Sequence, residues 1–150
     1  MGVIVGGKFI NPDAFTKRLT TAFAIWANDD INDSYWDDFF KDDRWSYPGE
    51  TRRKNGGVVS SPRDIYDLGN LYDSGRESFT LNLAGNSPKA SWNWNATNES
   101  GRAYAWYVHE GLGTNLAPRP WTDAFQVPAK FERGVAMRSL KNRIREAFMK

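Results

Sequence analysis

Residues 63–83 read RDIYDLGNLYDSGRESFTLNL, and the fold turns on how their first half is understood. Asp67 and Gly69 stand two residues apart inside a framework of Ile65, Tyr66, Leu68, Leu71 and Tyr72. Either this is a loop that presents carboxylates for chemistry, or it is a turn. An Asp followed two residues later by Gly favours a turn, because the carboxylate accepts backbone amides while the residue lacking a Cβ lets the chain bend tightly. Leu71 then anchors the turn in the core. The stretch is therefore predicted to set chain direction at the entry to a strand, with no proton transfer. The second half supplies that strand: Phe79, Leu81 and Leu83 alternate with Ser78, Thr80 and Asn82, the period of a half-buried strand. AGNSPK at 84–89 reads as a turn. ASWNWNAT at 90–97 alternates again, with Trp92 and Trp94 on one face, so the two runs predict an antiparallel hairpin.

Upstream, Asn11-Pro12-Asp13 is a helix start, with a capping side chain, a proline tolerated in the first turn and an acid that complements the helix dipole. Phe15, Leu19, Ala22, Phe23 and Trp26 fall on one helical stripe. The poor helix formers Asn28, Asp29, Asp30, Asn32 and Asp33 follow, so the helix is expected to end, kink or restart there. Ile31, Tyr35, Trp36, Phe39 and Phe40 predict a second, shorter helix whose apolar face points elsewhere. Residues 44–62, RWSYPGETRRKNGGVVSSP, have no period and predict a long exposed loop, an arm suited to ordering against a neighbour. RAYAWYVHEGLGTN at 102–115 predicts a strand or short helix ending at Gly111. Arg119, held extended by Pro120, and Trp121 open a short turn or helix. Pro128 suits the first position of a terminal helix on which Met137, Leu140, Ile144 and Phe148 share a stripe. The expected fold class is α+β in a single domain, residues 1–150: an N-terminal helix with a kink, a small antiparallel sheet with a hairpin, and a C-terminal helix packed on the sheet.

Composition narrows the functions. Seven tryptophans and 15% aromatic residues exceed ordinary usage, which calls for a large core, a partner interface or a stacking platform. The absence of cysteine excludes disulfides, thiolate catalysis and cysteine-ligated metals. No run approaches the roughly 20 apolar residues of a membrane span, so no membrane partner is expected. MGVIVGGKFINPD lacks the features of a secretory leader and predicts a cytosolic start. Net charge is +2, yet residues 29–43 hold seven Asp against Lys41, a local sum of −6, and residues 129–150 hold seven Lys or Arg against two Glu, a sum of +5. Such opposed flanks are either solvated helix faces or self-complementary, an acidic flank of one subunit meeting a basic flank of the next, with Asp37, Asp38, Arg52, Arg53, Arg143 and Arg145 as candidate interface residues. A wholly basic footprint for nucleic acid is absent.

No catalytic residue, cofactor or metal is expected. His109 and Glu110 are neighbours, but adjacent residues on a strand point to opposite faces, and no second histidine completes a metal site. Ser60 and Ser61 lack a nucleophile elbow, the aspartates of 29–43 do not follow the calcium-loop order, and EGLGTN lacks a phosphate-loop context. Trp92 and Trp94 could stack on sugars or bases. Filling one strand face toward the helices is the simpler use of them.

Read together, PRDIYDLGNLYDS, the strand pair, YAWYVHEG and APRPWTDAF ahead of a terminal helix resemble the tail-completion proteins of tailed bacteriophages, typified by the minor tail component of phage HK97. The matching positions are Asp67, Gly69, Leu71 and Ser74, then Tyr104, Ala105, Val108, His109, Glu110 and Gly111, then Arg119, Pro120 and Trp121. Leu68 departs from the family's threonine, and EGLGTN carries extra residues after the glycine. The resemblance runs from about residue 62 to the C-terminus. It implies a structural virion protein: a neck or tail-terminator subunit assembled in the host cytoplasm as a six-fold homo-oligomeric ring, contacting other neck or tail proteins, with DNA only as passing cargo. Arg119 is expected to pair with a carboxylate, either Glu110 or one on the next subunit. The rival expectation is a small module that binds glycans or single-stranded nucleic acid on Trp92 and Trp94.

Overall fold

The computed structural model describes residues 3–85, 87–112, 118–122 and 134–149. Helix α1 (Pro12–Ile25) starts as its sequence dictates: the Asn11 side chain accepts the Asp13 amide at 2.8 Å and Pro12 occupies the first turn. The chain does not break at the Asn- and Asp-rich run. It widens into a π-helical segment, Trp26–Tyr35, and resumes α geometry in α2 (Trp36–Lys41), with the Trp36 amide donating to the Ile31 carbonyl five residues back. A change of pitch thus replaces the expected end or restart. It also redirects the apolar face, since Trp26, Ala27 and Ile31 of the wide segment and Trp36, Phe39 and Phe40 of α2 all enter one core.

Two short hairpins flank this helical rod in sequence. Strands β1 (Val3–Val5) and β2 (Lys8–Ile10) pair antiparallel ahead of α1. Strands β3 (Thr51–Arg52) and β4 (Val58–Val59) form a two-rung ladder inside the segment expected to be an irregular loop. That segment is exposed along most of its length, but its own chain orders it. Trp45 and Arg63 exchange backbone hydrogen bonds of 2.9 Å at its base. The buried Arg63 guanidinium donates to the Gly49, Val59 and Ser60 carbonyls and the Thr51 hydroxyl at 2.9–3.0 Å. It also lies 4.0 Å from the centre of the Tyr47 ring.

The stretch 63–83 differs from its reading in two respects. Gly69, at φ +91°, opens helix α3 (Asn70–Glu77) rather than a strand. Leu71, Tyr72 and Gly75 are buried on that helix, a spacing that suits a helix and that the turn reading overrode. The strand comes later and shorter: β5 (Thr80–Asn82) pairs with β6 (Lys89–Ser91), Leu81 opposite Ala90. Phe79 and Leu81 pack against the core, whereas Leu83 is exposed and ends the buried alternation. Among the described residues, helix α4 (Ala105–Glu110) and helix α5 (Val135–Met149) join the other helices and three two-stranded antiparallel sheets in an α+β fold. The stripe Met137, Leu140, Ile144 and Phe148 on α5 is half-buried. Phe148 meets Phe15 at 5.0 Å between ring centres, and the Trp26 indole N–H donates to the Ala136 carbonyl at 2.8 Å, so α5 lies along α1 and the wide segment. Pro128 lies outside the described residues.

The centre of the core is aromatic, with Trp36 edge-on to its neighbours. Trp36 meets Trp94 at 4.8 Å and Trp92 at 6.1 Å with steep interplanar angles, while Phe40 joins Trp121 at 5.9 Å. Such contacts add to the burial of the rings themselves. Trp94 lies so close over α3 that a Cβ on Gly75 would fall inside its indole, which explains a glycine in the middle of a helix.

Candidate functional site: a motif brace and a tryptophan cleft

The three short motifs meet around α4. Asp67 accepts the Lys54 and Asn55 amides at 3.1 and 3.2 Å. These belong to the tip of the β3–β4 hairpin, so the carboxylate is a turn acceptor as predicted, but for a distant turn instead of its own. Arg53 beside it is tied to the Asp64 carboxylate. Ser74 donates to the Leu71 carbonyl at 2.8 Å within α3. Tyr104 precedes α4, its amide bonded to the Ala96 carbonyl at 3.0 Å. Burial, reinforced by the Asp67 charge, pushes its phenol above the ordinary range. Asp67, Gly69, Leu71, Tyr104 and Arg119 line one cavity of about 330 Å³ on this side of α4.

The other side of α4 carries His109 and Glu110. On a helix, unlike the strand considered above, these neighbours do meet: His109 Nδ1 contacts Glu110 Oε1 at 2.6 Å, and Nε2 contacts the Thr122 hydroxyl at 2.8 Å. The imidazole is buried edge-on against Trp121 at 4.9 Å. Gly111, at φ +68°, ends α4 in the left-handed conformation. The Arg119 amide then returns to the Val108 and His109 carbonyls at 3.2 and 3.0 Å, closing the last turn of α4 onto the Arg119-Pro120-Trp121 step. The order carboxylate, imidazole, hydroxyl matches an acid–base relay in outline. Here its geometry fastens a helix to the turn that follows it. Asp67 stands across α4 from this group, so the three residues do not share one cleft.

Arg119 does not reach Glu110 of its own chain. Its guanidinium lies 5.0 Å from the Tyr47 ring centre, not on Glu110. Its Nε is buried without a hydrogen-bond partner among the described residues, and burial lowers its pKa. Several charges of the two flanks are paired within the subunit. Arg143 grips Asp30 of its own chain with hydrogen bonds of 2.7 and 3.1 Å, which raises the guanidinium pKa further. Asp33 pairs with Arg76, Asp37 with Lys41 and Asp42 with Arg44. Asp37 also accepts the Tyr72 hydroxyl at 2.7 Å. Much of the acidic run is therefore neutralised within the subunit, while Asp38, Arg52 and Arg145 remain exposed.

A cleft of about 910 Å³ opens beside His109, and six tryptophans line it: Trp26, Trp36, Trp92, Trp94, Trp106 and Trp121. Trp26, Trp36 and Trp121 are buried. Trp92 and Trp94 pack half-buried on the core rather than forming an open coplanar platform. Trp106 is 63% exposed, stacked at 6.0 Å on His109. Sequence reading did not anticipate Trp106, Thr122, Arg63 or Gly75; only Gly75, an isolated glycine inside a helical spacing, left a signal. Among the described residues no group of acids and histidines could hold a metal ion, and no helix is long and apolar enough to cross a membrane. The geometry defines a braced α+β scaffold with an aromatic cleft. Compared with known proteins, the chain matches no family model, no curated protein and no solved structure.

Proposed function

We propose that this chain is a structural virion subunit of the tail-completion or neck type, forming a homo-oligomeric ring that joins the head of a tailed phage to its tail and leaves a channel for DNA. One observation carries the reading. Most residues of the phage-like motifs, scattered from Asp67 to Trp121, gather around α4, with Ser74 apart on α3, and their polar groups serve mainly to hold loops and turns in place. Geometry then takes the place of chemistry. Rings close through heterologous contacts, in which two different patches of one subunit meet, and two separate apolar patches remain open: Ile4 with Phe9, and Trp106 with Tyr107. Electron microscopy of the purified protein, alone and with tail or connector preparations, tests the reading. Rings with a central channel are the expected result, and monomers under both conditions would overturn it.

The tryptophan cleft favours a second reading, a module for glycans or single-stranded nucleic acid, because aromatic faces stack on sugars and bases alike. A tryptophan-fluorescence titration with both ligand classes separates the readings. The ring reading expects no saturable response.

A further inference from the structure

We propose that the cavity lined by Arg119 is a binding site for a carboxylate carried on a short apolar stem. The proposal goes beyond the ring reading and does not depend on it. Arg119 is half-buried, and its guanidinium forms no hydrogen bond or ion pair among the described residues. It rests against Tyr47, 5.0 Å from the ring centre, with its Nε buried and unmatched. A charge held away from water in this way costs free energy until an opposite charge joins it.

The charges that act on Arg119 do not meet that need. Arg53 and Arg63 stand near it, and the one carboxylate among them, Asp64, is already tied to Arg53. Arg63 meets four neutral acceptors and is satisfied by them. Arg119 has neither kind of partner. The cavity it lines holds about 330 Å³, and Ile65, Leu71 and Val108 give it an apolar wall. Asp67 and Glu99 line it too. Both oxygens of Asp67 accept the Lys54 and Asn55 amides, and Glu99 pairs with Lys54 at 3.1 Å. These two acids repel a multiply charged anion such as phosphate. A single carboxylate needs only one guanidinium, whose planar fork matches its two oxygens, and the apolar wall receives the stem. The carboxylate can come from a side chain of another copy of this chain or from a free small molecule, and the chemistry at Arg119 is the same.

Sodium butyrate is the probe, measured against sodium chloride at equal ionic strength, with butanol as the uncharged control and inorganic phosphate as the competing anion. The readout on the full-length protein is the Arg119 Nε–H signal in a proton–nitrogen correlation spectrum, assigned through its own backbone so that no variant is required. Butyrate is expected to shift that signal saturably and to raise the melting temperature, whereas butanol does neither and phosphate binds at least about tenfold more weakly. A signal that butyrate leaves in place would overturn the site, and so would phosphate that binds as well as butyrate. Arg119→Lys supplies the second arm: an ammonium lacks the fork, so butyrate should bind about tenfold more weakly, and unchanged binding by the folded variant would overturn the role of Arg119. Once butyrate has bound as expected, dilution of the protein without butyrate separates the two sources. A signal that moves with protein concentration assigns the carboxylate to another copy of the chain, and one that stays in place assigns it to a free molecule; both agree with the site.

Discussion

Hairpins β1–β2 and β5–β6 are built alike, three antiparallel rungs each, and have opposite surroundings. The middle rung of β5–β6, Leu81 opposite Ala90, packs against the core, and beside it Phe79 stacks on Trp92 at 5.2 Å. The Trp92 indole continues to the Asn32 side chain at 3.0 Å, so the hairpin is fastened to the wide helical segment. The middle rung of β1–β2, Ile4 opposite Phe9, meets nothing of comparable size among the described residues and stays open. Strand pairing is a local matter. Whether an apolar face is a piece of core or stays open depends on what stands above it, and the two hairpins divide on that point.

Removing what stands above β5–β6 should have the largest effect. Trp36→Ala deletes the ring against which Trp92 and Trp94 pack and is expected to cost about 3–5 kcal/mol in urea unfolding; a cost under about 1 kcal/mol would mean that the hairpin is not held there. Gly75→Ala drives a methyl group into the Trp94 indole. Overpacking of this kind costs about 1–3 kcal/mol, and a Trp94→Ala background should relieve much of it.

Tyr72→Phe tests the floor between α2 and α3, with an expected loss of about 1 kcal/mol at neutral pH. Its pH signature is more specific. Hydrogen bonds from Lys41 and Tyr72 hold the Asp37 carboxyl below its ordinary range, so its contribution is complete above about pH 4 and drains away as pH falls through the lowered value. Burial and the bond to Asp37 push the Tyr72 phenol up to about 12. Between about pH 10, where the unfolded phenol ionises, and that raised value, the folded state keeps a proton that the unfolded state has released, so stability falls with rising pH. Wild type should lose stability through that alkaline window more steeply than Tyr72→Phe.

Arg143→Ala removes the clamp of α5 on Asp30. A partly exposed ion pair of this kind is worth up to about 1 kcal/mol. The loss should shrink in high salt, and a double-mutant cycle with Asp30→Asn isolates it. The smallest effect on the subunit belongs to the open hairpin: Ile4→Ser should change unfolding by no more than about 0.5 kcal/mol. A large loss there would place the β1–β2 face inside the fold and erase the contrast with β5–β6.

Local chemistry alone settled a good part of this protein. The Asn11 cap, the stop at Gly111, the β5–β6 hairpin and the apolar stripe of α5 each depend on residues within a few positions of one another, and each was readable from the order of side chains. The carboxylate of Asp67 was readable as a turn acceptor too, though not which turn it accepts. Tertiary structure decided the rest. Over 70–77 the helix won because Leu71, Tyr72 and Gly75 could bury together under Trp94 and beside Phe40, a gain invisible until the partner rings are in place. Arg63 draws acceptors from four loop residues with no shared period, and His109 finds Thr122 only because the chain doubles back after α4. Asp30 of the acidic flank found Arg143 of the basic flank inside the same subunit. Opposite charges far apart in sequence carry no record of whether one chain or two will bring them together, since that is set by the packing of α5 against α1.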